Sequence, residues 1–97
     1  MQTDKVCQEA IDKLGSFSQI GEMVKKNDEL NVLLLRYRKV RNTEEETYYL
    51  PKILDKIADV EILLEQMKLY FDVDEKNITE LKNKKLARLK TLLRTNS

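Results

Sequence analysis

At 97 residues the chain fits one domain, residues 1–97, but is too short to bury a large share of its surface, so a homo-oligomer is expected to complete its core. Charged residues at 36% and hydrophobic ones at 41%, with two glycines and one proline, exclude a sheet protein and a disordered tail and point to long amphipathic helices, an all-α bundle of about four. Eighteen Lys and Arg against 17 acids leave +1, no general pull toward nucleic acid, while a lone Cys7 and no histidine exclude an internal disulfide and Ser-His or Cys-His nucleophiles, leaving carboxylates as metal ligands.

The first helix is predicted from about Asp4 to Leu14, where Val6, Ala10, Ile11 and Leu14 recur at helical spacing and Gly15-Ser16 supplies a stop. A second begins near Ser18, carries Ile20, Met23, Val24, Leu30, Leu33, Leu34 and Tyr37 on one broad face, and ends before Asn42-Thr43. Asn27 interrupts that face, as a site residue or a register device. The third has the clearest pattern: Leu50, Ile53, Ile57, Val60, Leu64, Met67 and Phe71 alternate by three and four, as a central helix should. Pro51 is expected in its first turn, which leaves Thr43 to Tyr49 as loop or a frayed lead-in. A fourth helix, capped by Asp74 or Asn77, carries Ile78, Leu81, Leu86, Leu89, Leu92 and Leu93 and is expected to pack over the others.

No apolar run approaches the roughly 20 residues of a membrane span, and Met-Gln-Thr-Asp-Lys lacks a secretory pattern, so a cytoplasmic location without a membrane partner is expected. Only Gly15 and Gly21 are available, which excludes a glycine-rich phosphate loop.

Two short segments narrow the reading. Lys26 with Glu29 on the second helix, and Lys56 with Asp59 on the third, are each three apart and so share a face one turn apart. Inward carboxylates from facing helices commonly hold a divalent cation in a bundle, because oxygen ligands suit a hard ion and the helix fixes their spacing. Here the four charges sum to zero instead of minus four.

With Ala10-Ile-Asp-Lys-Leu14, the stretch from Lys25 to Asn42, the central Ile57-Ala-Asp-Val-Glu-Ile-Leu-Leu-Glu-Gln-Met67, and Lys85-Leu-Ala-Arg-Leu89 in view, the chain resembles the MazG-like all-α nucleoside triphosphate pyrophosphohydrolases, particularly short phage and bacterial members. The resemblance implies a MazG-like helical bundle assembled as a dimer or tetramer. It also implies a site in which four carboxylates hold magnesium for release of pyrophosphate from a nucleotide. Only Glu29 and Asp59 match that pattern, while Lys26 and Lys56 replace the other two acids and Lys25 and Asp55 stand where a further acid is frequent. A charged lysine donates without accepting and repels magnesium, so two lysines can neutralise two acids directly. Cross-helix pairs, Lys26 with Asp59 and Lys56 with Glu29, are therefore expected, because lysine before its acid is the weaker order within one helix.

The expectation is a degenerate, catalytically impaired relative that needs no cofactor and acts by binding a nucleotide or a protein, as a phage-encoded inhibitor or decoy would. The alternative is an active enzyme whose magnesium is held by Glu29 and Asp59. Unrelated surface charges on amphipathic helices would carry no such meaning. Arg36, Arg38 and Lys39 are candidate phosphate-binding residues, although cations at a helix C-terminus are also what the macrodipole favours, and a base could stack on Tyr37, Tyr48, Tyr49 or Tyr70.

Overall fold

Four helices account for nearly the whole chain in a computed structural model that describes residues 3–95: α1 (Thr3–Leu14), α2 (Ser16–Val40), α3 (Glu46–Tyr70) and α4 (Glu75–Thr95). Met1 and Gln2, where the segment read above for a secretory pattern begins, lie outside the described residues, as do Asn96 and Ser97.

Gly15 alone separates α1 from α2. Its φ of 91° lies where a side chain would be strained, and it continues the chain by donating to the Ile11 carbonyl at 3.0 Å while its own carbonyl receives the Gln19 amide at 3.1 Å. The link from α2 to α3 is residues 41–45. There Asn42 takes a φ of 66° and Thr43 turns back, amide and hydroxyl, onto the Val40 carbonyl. Lys26 faces Asp59, Glu29 faces Lys56 and Tyr37 faces Glu46, so the two long helices run antiparallel.

α3 starts four residues before the Leu50 expected from periodicity. Its extra turn is built by the Glu46 amide on the Thr43 carbonyl and the Tyr48 amide on the Glu45 carbonyl. Pro51 is therefore in the helix interior rather than its first turn, and Thr47 loses the amide partner that another residue at 51 would offer its carbonyl. At the other end the Asp72 amide reaches the Leu69 carbonyl and the Val73 amide that of Lys68, a Schellman stop with aspartate at the left-handed position, φ 52°. Of the two candidate caps for α4, Asp74 is the one used: its Oδ1 accepts the Lys76 amide at 3.0 Å.

The core is small. It consists of Cys7 and Ile11 from α1 and Ile53, Val60 and Leu63 from α3, with Gln19 and Gln66 also buried. Cys7 donates weakly to the Ile62 carbonyl, Sγ to O 3.8 Å, and burial raises its thiol pKa, with Glu65 and Asp4 adding to the effect. α1, α2 and α3 pack on one another, whereas α4 packs on none of them and has no buried residue. The expected packing of α4 over the bundle is thus absent within one chain. Its leucines run down a helix whose start is tied to α3 through Lys68, which reaches Glu65 at 3.2 Å and Glu75 at 3.1 Å.

The projection shows in the dimensions. The radius of gyration is 16.9 Å, against about 12.5 Å for a compact domain of this length. The chain exposes 7993 Å², against about 5800 Å² for a compact monomer of its mass.

Candidate functional site

Antiparallel packing of α2 on α3 brings Lys26, Glu29, Lys56 and Asp59 together. The residues in each helix are three apart, and the facing turns of the two helices are in register. Lys56 Nζ lies 2.5 Å from Glu29 Oε2, a direct hydrogen bond, and the other three pairings are looser: Lys26 to Glu29 and to Asp59 at 3.9 Å, and Lys56 to Asp59 at 3.8 Å. Both cross-helix pairs expected from the lysine-before-acid order are present. Hydrogen bonding from Lys56 holds the Glu29 carboxyl below its ordinary pKa, partial desolvation opposing it and the charges of Lys26, Lys56 and Lys25 adding to it. The same bond raises Lys56.

These side chains retain between 21% and 36% exposure, so the quartet is a half-open patch on the helix pair rather than a buried ionic layer. Asn27 is exposed beside it and interrupts nothing in the core. Among the described residues, no three acids or cysteines are grouped so as to hold a metal ion. Magnesium does not fit the quartet: Glu29 and Asp59 would have to bind it with two ammonium groups already within 4 Å of them, and each ammonium repels the ion.

Next to the quartet, an open cavity of about 700 Å³ runs along the α2–α3 seam toward the interhelical link. Val32, Leu33, Tyr48, Tyr49 and Pro51 give it an apolar wall, and Arg36, Lys52 and Lys56 face Asp28, Glu29 and Asp55 around it. Lys52 Nζ sits 4.9 Å from the centre of the Tyr48 ring, close enough for a cation–π contact, and Tyr48 meets Tyr49 edge to face at 5.1 Å. The end of the seam is fastened by Glu46, whose carboxylate accepts the Tyr37 hydroxyl at 2.5 Å and the Asn42 amide at 3.1 Å; that hydrogen bond raises the Tyr37 pKa.

The candidate phosphate cluster is split by this geometry. Arg36 lines the cavity, while Arg38 and Lys39 lie with Leu35 at a separate shallow depression. The part of the cavity that periodicity did not reveal is the Tyr48-Lys52-Lys56 row. These residues are spaced by four on one face, which is visible only once α3 is allowed to begin before Pro51. No protein-family model, curated protein or solved structure matches this chain.

Proposed function

We propose that the chain is a charge-neutralised relative of the MazG-like nucleoside triphosphate pyrophosphohydrolases, which binds a nucleotide in the α2–α3 cavity and turns it over poorly or not at all. The observation that carries this reading is the quartet itself. Two lysines occupy the turns where the family resemblance calls for two carboxylates, and both contact the two acids that remain. The cavity supports the binding half of the reading, because its volume lies within the few hundred to about 1000 Å³ usual for small-molecule sites. A base can lie against Tyr48 or Tyr49 while Arg36 and Lys52 take phosphate oxygens. Lys56, bonded to Glu29, is less free to do so.

On this reading the protein works in the cytoplasm as a self-associating binder, an inhibitor or decoy of the kind phage genomes carry. Its affinity for nucleotide comes from side-chain cations rather than from a resident metal. Calorimetry with a panel of ribo- and deoxynucleoside triphosphates, with and without magnesium, is the test, run beside an assay for released pyrophosphate. Binding without magnesium, weakened by Arg36→Ala and Lys52→Ala, and no pyrophosphate above buffer is the expected result. Magnesium-dependent turnover lost in both Glu29→Ala and Asp59→Ala would overturn it in favour of an active enzyme with a two-acid site.

A further inference from the structure

We propose that α4 is an exchanged arm that lies on α3 of a second copy of this chain, each copy giving its arm and receiving the other's. The inference rests on the self-association in the reading above and specifies its surface; it does not depend on nucleotide binding.

Three observations converge on this occupant. The first is an unpartnered row on α3. Leu50, Ile57, Leu64 and Phe71 recur every seven residues and are 47%, 39%, 43% and 62% exposed, the repeat of a helix that meets another helix lengthwise. From Leu50 to Phe71, the residue that caps α3, the row covers 21 residue steps, about 32 Å at the α-helical rise. α4 is 21 residues long and carries its own row, the half-buried Ile78 and the exposed Leu81, Leu89 and Leu92, and beyond the Lys68–Glu75 ion pair at its start it does not pack on its own bundle.

The second observation is charge. α4 holds seven of the chain's 18 basic residues and two of its 17 acids, a net +5, which leaves −4 on the remaining residues. An arm of that sign is attracted to the bundle of another copy. Near its midpoint each row carries a charge, Glu61 between Ile57 and Leu64 on α3 and Lys85 between Leu81 and Leu89 on α4, so packing the rows centre to centre brings opposite charges together; the other charge in the α3 row, Lys68 between Leu64 and Phe71, is already paired with Glu65 and Glu75.

The third is area. The surface exposed beyond that of a compact monomer is about 2200 Å². That is close to what one chain contributes to an obligate homodimer, whose interfaces bury roughly 2000–5000 Å² in total. Reciprocal exchange covers two α3 rows and two α4 rows under one twofold axis, which closes the assembly.

Sedimentation equilibrium of the full-length protein tests this with two double variants, Leu89→Glu with Leu92→Glu on α4 and Ile57→Glu with Leu64→Glu on α3. Wild type is expected to be a dimer and each variant a monomer with self-association weakened at least about tenfold. Mixing the two variants is expected to restore dimers, because one arm and one receiving row remain intact in the mixed pair. Circular dichroism verifies that each variant stays helical, and since α4 has no packing within its own chain, its variant leaves the bundle intact. A monomeric wild type would overturn both self-association and the arm. An α4 variant that still dimerises would overturn the arm and place the α3 row against another α3 row instead, and failure of the mixture to dimerise would overturn the exchange, because an intact arm and an intact receiving row would then be present without pairing.

Discussion

Lys56 on α3 reaches Glu29 on α2 at 2.5 Å, the tightest of the four contacts in the quartet and the closer of the two that join the helices. Folding therefore acidifies Glu29, and a group whose pKa falls on folding stabilises the folded state above its unfolded pKa and loses that contribution as pH drops through the folded one. Lys56 moves the opposite way, so its contribution is complete below its unfolded value and is lost as pH climbs through the raised one. Both are present at neutral pH. Glu29→Gln is expected to lower the thermal midpoint at pH 7, and the gap to wild type should close as pH falls below about 4.5, the ordinary glutamate value. A gap that stays constant into acid would show that the pair contributes nothing through its charge.

Carboxylates in place of the two lysines should admit an ion. Lys26→Glu together with Lys56→Glu turns the quartet into four acids, which is expected to raise magnesium affinity at least about tenfold and to lower the melting point in chelator. Calorimetric titration of wild type and double variant with magnesium reads the first effect, and thermal melts with and without chelator read the second. Equal affinities would remove the support for a vestigial metal site.

The two glycines should respond to alanine with opposite signs. Gly15→Ala keeps open space around the new methyl but forces a φ of 91° on a residue with a side chain, which costs about 1–3 kcal/mol. Gly21 sits within α2, also with open space at its Cβ position, and its alanine variant should stabilise by about 0.5–1 kcal/mol. Urea unfolding of the pair of variants gives both signs in one experiment.

Asp72 occupies a position that glycine fills more comfortably. Its φ of 52° in the stop of α3 predicts that Asp72→Gly stabilises by about 1 kcal/mol, read from the same unfolding curves. A destabilised variant would mean the aspartate side chain contributes something beyond backbone geometry.

Much of this was legible in the residues. Helical spacing located all four helices, Gly15 marked one end because glycine tolerates positive φ, and Asp74 was one of two candidate caps for α4, the one whose side chain accepts an amide there. The three-residue spacing in α2 and α3, read together with the family resemblance, pointed to the side chains that meet in the quartet. The core of α3 was less legible. Its pattern named Leu50, Ile53, Ile57, Val60, Leu64, Met67 and Phe71, yet the residues buried are Ile53, Val60, Leu63 and Gln66. A continuous apolar stripe has two edges, and periodicity says nothing about which edge α1 and α2 will cover. Leu63 and Leu64 differ in burial, 7% against 43%, because the first turns toward the neighbouring helices and the second does not. Leu63→Ala should accordingly cost about 2–5 kcal/mol in dilute protein, and Leu64→Ala much less.

The lysines at positions 26 and 56 change what the helix pair needs from its surroundings. A cage of four acids would splay its helices apart until an ion arrived from solution, making the folded population follow ionic conditions. Here the counter-charges are part of the polypeptide and are delivered with it at synthesis, at fixed stoichiometry. The seam between α2 and α3 can close in water stripped of divalent ions, so the shape of this protein is insulated from a variable that a carboxylate cage would have to sense.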